Sequence, residues 1–510
     1  MYIQSIAGKA ARLAMILLFI LALAGCGDDA GDTDAHLDEH DHEGEHAGEF
    51  PGRLMVLDAE NYQLNVFDLE SEQVVASFDD HDGFEATGES TLLRTSSDGR
   101  YGFALQRTGH FSPDNDPDSN EILIIDSGLT TESHGDHSDP VWGMPTLLPY
   151  RLGHGGGEMG WYRPIHWSSH HGLTAIFYDG SHDDYQEMVN AVAVAYEDSD
   201  WGSQTRPKPI FELDVGSHAH GGAVAFHDDL FIVSVGMNEE YGGLKYSTLP
   251  RGVATYRADA EDVEDDIVQD FRGMCPRLHG EAVSGDYVAF GCNEGPEDNE
   301  NENYTGPTIT DRSGVLVLTY DEASDSFEAA EVAYPDDGSE LTSGGLRGST
   351  EPEGIFMTTY GEHFLKIKAS EVVDGTNAGS ELVMVEAGSG RHRGYAFEPV
   401  DHNFGGEGRF VVLTGTGNLY IFDVTKDAGY ALVDQVEEVV AAGDDACLEG
   451  IGCPSMALAP GFAYVSDPAN DRVRVVHLED PDEIDDLPMN APTSLVVLGW
   501  FDLDEELVFH

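Results

Sequence analysis

The chain is poor in positive charge. It has 25 Lys and Arg residues against 96 Asp and Glu residues in 510 positions, so its formal net charge is −71. Nucleic-acid binding through phosphates needs a basic surface, and this composition therefore excludes it. The many carboxylates are typical of salt-adapted secreted proteins. Such a surface attracts cations without selectivity, so charge alone identifies no metal site.

The sequence also lacks the short motifs of several enzyme classes. It contains no GxSxG, no HExxH, no Walker loop and no CxxCH haem site. Carboxylates are too abundant for one pair to be singled out as a catalytic acid and base. We therefore predict that the protein is not an enzyme. Hydrophobic residues make up 40% of the chain, which is enough for a large core and excludes disorder for most of it.

The N-terminus has no apolar run long enough to span a membrane, which takes about 20 residues. Residues 13–24 form an apolar run that follows Lys9 and Arg12 and leads to Leu-Ala-Gly before Cys26. This pattern predicts a lipoprotein signal peptide at residues 1–25, with Cys26 as the lipidated residue. The protein is then anchored by its lipid in the cell envelope, on the periplasmic or extracellular face.

Cysteine is scarce, and four cysteines remain after Cys26. An even number in an oxidising compartment predicts disulfides, and proximity in sequence favours Cys275–Cys292 and Cys447–Cys453 among three possible connectivities. A thiolate metal site is the alternative, but CxxC spacing is absent.

Residues 26–50 differ in composition from the rest of the chain. Between residues 27 and 49 there are ten acids, no Lys or Arg, and one large apolar residue, Leu37. Such a segment buries too little apolar surface to become ordered, so we predict a disordered tether. It carries four histidines among carboxylates, a composition typical of metal-binding tracts: His36, His40, His42 and His46. A plain solvated spacer is the alternative interpretation.

Residues 51–510 show short β-patterns separated by turn signals. Seven fuller repeats of two or three strands and one partial repeat at 53–69 can be distinguished. Repeats that each contain a few short strands predict an all-β chain. We expect it to form a β-propeller of about seven to eight blades after the disordered N-terminal arm. Residues 494–508 are expected to complete the partial first blade.

Two groups of histidines are candidate metal ligands of the propeller. His134, Asp136 and His137 lie in a loop, at a spacing that lets imidazoles and a carboxylate converge on one ion. A hydrogen-bonded turn is the alternative. The second group is expected at the heads of the innermost strands, where the channel opens, with Glu281 or Asp401 nearby: His166, His218, His220, His279 and His402. The His170-His171 pair is more typical of a strand turn.

The arm, the repeats and the histidines together resemble the periplasmic zinc metallochaperones of the AztD type. The resemblance covers most of residues 53–480, and its most specific pieces are IDSG with SHGDHSD (125–139), SHAHGGAVAF (217–226), and CPRLHGEAV with VAFGC (275–292). It implies a propeller that holds zinc and passes it to the solute-binding protein of an ABC transporter. The predicted anchor, the higher acidity and insertions such as 294–306 differ from that family.

Three functions therefore stand as hypotheses. The first is a zinc-binding lipoprotein that acts as a metallochaperone, and zinc is favoured over copper because Met and free thiolates are absent near the histidines. The second is a noncatalytic propeller module that binds a protein or glycan at the cell surface. The third is a metal-dependent propeller enzyme, which would need an open coordination position with a bound water.

Overall fold

Four-stranded antiparallel sheets recur eight times along the chain and form the eight blades of a β-propeller. The computed structural model describes residues 50–79, 81, 91–106, 121–134, 137–153, 163–179, 190–217, 221–227, 229–235, 250, 252–275, 277–293, 313–335, 345–386, 392–401, 404–424, 430–447, 452–501 and 507. The predicted all-β class and propeller architecture are confirmed, and the blade number is eight.

Within each blade the strands are given from the channel outward. Blade 1 contains β34 (Pro492–Leu498), β1 (Arg53–Asp58), β2 (Gln63–Asp68) and β3 (Gln73–Phe78). Blade 2 contains β4 (Leu92–Thr95), β5 (Tyr101–Leu105), β6 (Ile122–Asp126) and β9 (Thr146–Leu152). Blade 3 contains β10 (Arg163–His170), β11 (Leu173–Asp179), β12 (Asn190–Glu197) and β13 (Phe211–Ser217). Blade 4 contains β14 (Ala223–His227), β15 (Leu230–Ser234), β16 (Val253–Arg257) and β17 (Gln269–Asp270).

The other four blades follow the same order. Blade 5 contains β18 (Glu281–Ser284), β19 (Tyr287–Cys292), β20 (Gly314–Asp321) and β21 (Ser326–Ala333). Blade 6 contains β22 (Leu346–Gly348), β23 (Ile355–Tyr360), β24 (His363–Lys368) and β25 (Ser380–Val383). Blade 7 contains β26 (Gly394–Phe397), β27 (Phe410–Leu413), β28 (Leu419–Asp423) and β29 (Ala431–Val436). Blade 8 contains β30 (Met456–Ala459), β31 (Phe462–Asp467), β32 (Arg472–His477) and β33 (Ile484–Pro488).

A separate hairpin, β7 (Leu129–Ser133) and β8 (Ser138–Trp142), is inserted between β6 and β9 of blade 2. The helical segments of the described residues are short 3₁₀ turns at Asp198–Asp200, Ala369–Glu371, Gly443–Ala446 and Pro468–Asn470. Nowhere in the described part of the chain is a helix long and apolar enough to cross a membrane.

The middle strands are apolar on both faces because each blade packs between two others. In β6, Leu123 and Ile125 contact blade 1 beside Met55, whereas Ile124 contacts blade 3 beside Ile176. A strand buried on both faces has a continuous apolar run in place of strict alternation. This packing explains why sequences such as ILIID recur through the chain.

The ring closes through β34, as the sequence predicts. This strand pairs antiparallel with β1, with Arg53 opposite Leu498, and so supplies the innermost strand of blade 1 from the C-terminal part of the chain. Residues Leu495, Val497 and Leu498 of β34 are buried. The partial first repeat is therefore completed by a strand about 440 positions later in sequence.

Both predicted disulfides are confirmed, Cys275–Cys292 and Cys447–Cys453. The first joins the segment before β18 to the end of β19, and both of its cysteines are buried. Because disulfides persist in oxidising compartments, they indicate a location outside the cytoplasm. They also exclude these four cysteines as thiolate metal ligands.

Candidate metal centre

A buried histidine and a buried glutamate meet where the innermost strands of blades 3 and 5 approach each other. His166 lies in β10, and Glu281 is the first residue of β18. The His166 Nδ1 atom lies 3.0 Å from Glu281 Oε2, and the two side chains are 11% and 4% exposed. A carboxylate this deeply buried needs a partner of opposite charge, a proton donor or a metal ion.

His279 joins this pair from the segment that leads into β18. Its ring centroid lies 5.7 Å from that of His166, with the rings nearly perpendicular. Backbone hydrogen bonds fix the segment, since His279 N donates to Gly291 O and Gly291 N donates to Gly280 O. Gly280 has a φ of +85°, a conformation that L-residues with side chains rarely adopt. The glycine therefore allows the chain to turn between His279 and Glu281.

Gly222, just before β14, lies against the same carboxylate. A Cβ atom at this position would lie 2.2 Å from Glu281 Oε2, so a larger residue here would displace the carboxylate. Two hydrogen bonds join Gly222 to Ser234 of β15. Gly222 N donates to Ser234 Oγ, and Ser234 N donates to Gly222 O. His218 and His220 lie outside the described residues. Gly222, which follows them in sequence, is described and lies next to Glu281.

Arg94 lies close enough to affect the charge balance of this group, and Arg347 lies close enough to act on Arg94. Burial lowers the pKa of His166, but the attraction of Glu281 and the hydrogen bond to it outweigh burial, so the pKa of His166 is raised. Burial and the repulsion of Arg347 lower the pKa of Arg94 to about 10, although Glu281 acts in the opposite direction. Arg94 and Arg347 lie on the innermost strands β4 and β22. Glu281 therefore stabilises positive charge in this part of the channel.

The channel group has the donor types of a zinc site, but its ligand atoms are farther apart than those of a preformed site. Imidazole nitrogens and carboxylate oxygens are usual zinc ligands. Among the described residues, a single group has three such ligand atoms within 4.8 Å of one another, and it lies outside the channel group: His477, Glu483 and Asp485. The ligand atoms of His166, His279 and Glu281 therefore do not all lie within that separation of one another.

The loop histidines lie on a different element, the β7–β8 hairpin. His134 Nε2 lies 3.1 Å from Asp139 Oδ2, and His137 Nε2 lies 3.7 Å from Asp139 Oδ1. These side chains are 47%, 31% and 26% exposed, respectively, so this group is much more accessible to solvent than the channel group. The carboxylate between the two imidazoles is Asp139, which sequence reasoning missed. Asp136 lies outside the described residues.

The hairpin register explains the role of Asp139. Residue pairs Ser133–Ser138 and Glu132–Asp139 are opposite each other, and His134 N donates to His137 O. Because side chains alternate between faces along a strand, His134, His137 and Asp139 share one face. The alternation of a hairpin was the signal in the sequence that could have identified this carboxylate.

One part of the prediction for the channel is wrong. β26 ends at Phe397, so Asp401 follows the innermost strand of blade 7 and lies in the turn that leads to β27. There it forms backbone hydrogen bonds with Gly405 in both directions. The segment with His402 therefore does not head an innermost strand, and His402 itself lies outside the described residues. The arm histidines and Cys26 also lie outside them.

The His170-His171 pair forms a strand turn, as expected. β10 ends at His170, and His171 and Gly172 have φ values of +46° and +75° before β11 begins. The two imidazoles stack with their centroids 3.7 Å apart. Burial and the repulsion of His171 and His227 lower the pKa of His170 to about 3.

This lowered pKa predicts an acid-dependent loss of stability. The folded state favours neutral His170, so its contribution is complete above the unfolded pKa of about 6.5 and is lost as the pH falls from there towards 3. Between pH 7 and pH 5, the metal-free protein should lose about 2 kcal/mol of unfolding free energy that a His170→Gln variant retains. Urea unfolding at both pH values measures this difference. A His81→Gln substitution at an exposed histidine is the control, and an equal loss in the wild type and the His170→Gln variant would contradict the prediction.

No protein-family model matches the chain. Over 453 residues it is 24% identical to the zinc chaperone AztD of Citrobacter koseri, covering 88% of this chain and 86% of that protein. It is also similar to a crystal structure of C. koseri AztD, with a TM-score of 0.62, 20% identity, and coverage of 87% of this chain and 97% of that one. A structure of apo AztD from the same organism matches equally well.

Proposed function

We propose that this chain, a homologue of the zinc chaperone AztD, holds zinc in the propeller channel and passes it to another protein without catalysing a reaction. The observation that carries the proposal is the group of His166, His279 and Glu281, which come together where the innermost strands of blades 3 and 5 approach each other. Buried polar groups of this kind cost stability unless a ligand or partner satisfies them.

The donor set favours zinc over copper(I) and calcium. Two imidazoles and a carboxylate suit zinc, whereas calcium prefers an all-oxygen shell and copper(I) prefers thiolate or thioether ligands. The four cysteines of the described residues are in disulfides. We assign His218 or His220 as a further ligand, because their segment ends at Gly222 against Glu281.

The exposed histidines serve a different step. His134, His137 and Asp139 of the hairpin form a weaker surface group, from which an ion can leave without unfolding of the channel. The arm histidines act in the same way, since a tethered weak ligand has a high local concentration near the propeller. A relay of this kind replaces ligands one at a time and avoids full release of the ion into water.

The setting of this transfer is the cell envelope. A lipid on Cys26 keeps the protein at a membrane surface, and residues 26–50 act as the tether. The acceptor is a solute-binding protein of a zinc ABC transporter, which works in the same compartment. The anchor and the compartment rest on the sequence pattern of residues 1–50 and on the disulfides, and the acceptor rests on the resemblance to the AztD-type chaperones.

Stopped-flow zinc transfer tests the proposed function. Mature protein loaded with zinc is mixed with zinc-free solute-binding protein or with a chelator. Direct transfer predicts a rate that rises with acceptor concentration and exceeds release to the chelator. Replacing the four arm histidines, His36, His40, His42 and His46, with Ser should slow transfer about tenfold, since their effective concentration is lost, and should leave the melting temperature unchanged.

The matched control places four serines elsewhere in the same arm. It replaces residues that offer no metal ligand: Ala30, Gly31, Ala35 and Leu37. If this control slows transfer as much as loss of the histidines does, the arm acts only as a spacer. If transfer to the solute-binding protein is no faster than release to the chelator, the protein is not a chaperone, and a noncatalytic binding module becomes the better interpretation.

A further inference from the structure

The outer part of blade 8 carries a second group of metal-binding side chains. His477 ends β32, Asp485 lies in β33, and Glu483 lies just before β33. One ligand atom from each lies within 4.8 Å of the other two. His477 Nε2 lies 3.4 Å from Asp485 Oδ2. Three atoms at this separation can bind one ion, because zinc–nitrogen and zinc–oxygen bonds are about 2.0–2.2 Å long.

The strand register places these three side chains on one face of the sheet. Val475 is opposite Asp485 and Val476 is opposite Ile484. The His477 amide donates to Glu483 O, so these two residues continue the ladder as the next opposite pair. Since successive side chains point to opposite faces, His477, Glu483 and Asp485 share a face. His477 is directly opposite Glu483 and diagonal to Asp485.

Packing fixes the imidazole before any ion binds. Phe462 is the neighbour of His477 on β31, and their ring centroids lie 4.9 Å apart in an edge-to-face arrangement. The His477 side chain is 25% exposed, whereas that of Asp485 is 62% exposed. One ligand is therefore held by the protein, and the open side of the group faces solvent. Ordering one ligand in advance lowers the entropic cost of binding.

The nearby arginines neutralise a different carboxylate. Arg472 Nη1 lies 2.8 Å from Asp486 Oδ2, and Arg474 Nε lies 3.0 Å from Asp486 Oδ1. Alternation places Asp486 and both arginines on the face opposite Asp485. The charges of Glu483 and Asp485 are thus not balanced by these two arginines, and both carboxylates lie beside the imidazole of His477.

We propose that His477, Glu483 and Asp485 form a second divalent metal site, independent of the channel and of the N-terminal arm. Two carboxylates balance the charge of a divalent ion, and the imidazole favours Zn²⁺ or Ni²⁺ over Ca²⁺ and Mg²⁺. The protein supplies three ligands on one side of the ion. Water molecules complete the coordination, so the site is accessible to exchange.

Chemical modification of His477 tests this site in the intact mature protein. Diethyl pyrocarbonate modifies neutral imidazoles, and peptide mass spectrometry reads each histidine separately. In the wild type, Zn²⁺ should slow modification of His477, whereas the same concentration of Mg²⁺ should not. About 0.15 M salt suppresses long-range attraction to the acidic surface. In the Glu483→Gln, Asp485→Asn variant, half-maximal protection should require at least about tenfold more zinc.

The matched control removes the same charge from the same hairpin. It combines Glu479→Gln and Asp482→Asn, two exposed carboxylates outside the group. Retained protection of His477 in this control supports a defined site. Equal weakening in both double variants would reduce the effect to general acidic attraction, and no protection of His477 in the wild type would also overturn the proposal. Zinc protection of His166 in the same digests measures binding in the channel separately. Absence of protection at His477 alone therefore leaves the proposed function standing.

Discussion

A His166→Gln variant is expected to bind zinc about a hundredfold more weakly than the wild type. The substitution removes an imidazole from the channel and leaves Glu281, which is 4% exposed, without the ring nitrogen that lies 3.0 Å away. Loss of groups that position metal ligands typically costs 10- to 100-fold in affinity, and loss of a ligand itself lies at the upper end of that range. Competition with a chromophoric zinc chelator at pH 7 measures the change.

The control for this experiment lies in the same strand. His170 also belongs to β10, at its far end, and its imidazole stacks on that of His171. A His170→Gln variant therefore makes the same chemical change without touching the Glu281 group, and its zinc affinity should equal that of the wild type. Equal affinity in the His166→Gln variant would show that the tight site is elsewhere, with the exposed hairpin group of His134, His137 and Asp139 as the next candidate.

Removing β34 is expected to abolish cooperative folding. A chain that ends at residue 491 lacks the innermost strand of blade 1, so β1 loses a backbone partner along its length. It also loses the buried side chains of Leu495, Val497 and Leu498. Burial of one such side chain contributes about 1.5–3 kcal/mol, so three of them amount to a large part of the 5–15 kcal/mol that stabilises a typical domain.

Circular dichroism during heating measures this effect. The comparison is a chain that ends at residue 501, which keeps β34 and Trp500. The Trp500 ring packs on Trp142 at 5.2 Å, and its Nε1 donates to Thr130 O. This longer chain should unfold in one sharp transition, and the shorter chain should not. A sharp transition in both would mean that seven blades and an open eighth are stable without closure.

The repeats could be predicted because they rest on local patterns. Strands such as YVAFGC in β19 and LYIFD in β28 are apolar and rich in β-formers, and Gly or Asp turns separate them from their neighbours. The two disulfides could be predicted from their short separations of 17 and 6 residues. The arm histidines and the lipidation of Cys26 remain predictions, because they lie outside the described residues.

The exact donor groups were harder to predict, because they depend on register and turn position. The hairpin carboxylate is Asp139, where the spacing of HGDH favoured Asp136, and the described residues show it between the imidazoles of His134 and His137. Asp401 was expected near the channel mouth but lies after β26. The error is one of strand assignment, because Asp401 lies between β26 and β27 and a single sequence does not define which strand of a repeat is innermost.

By itself, the sequence determined the all-β class, the repeat of small sheets, the pairing of the four cysteines and the histidine-rich character of the chain, because each is set by neighbours along the chain. Only the tertiary structure decided which histidines meet a carboxylate. His166 and Glu281 are 115 positions apart and come within 3.0 Å because ring closure brings strands of different blades to one channel. His477 and Asp485 are diagonal neighbours on one face because of the register of one hairpin. Contacts of both kinds depend on distances across strands, which residue order leaves open until the sheets are packed.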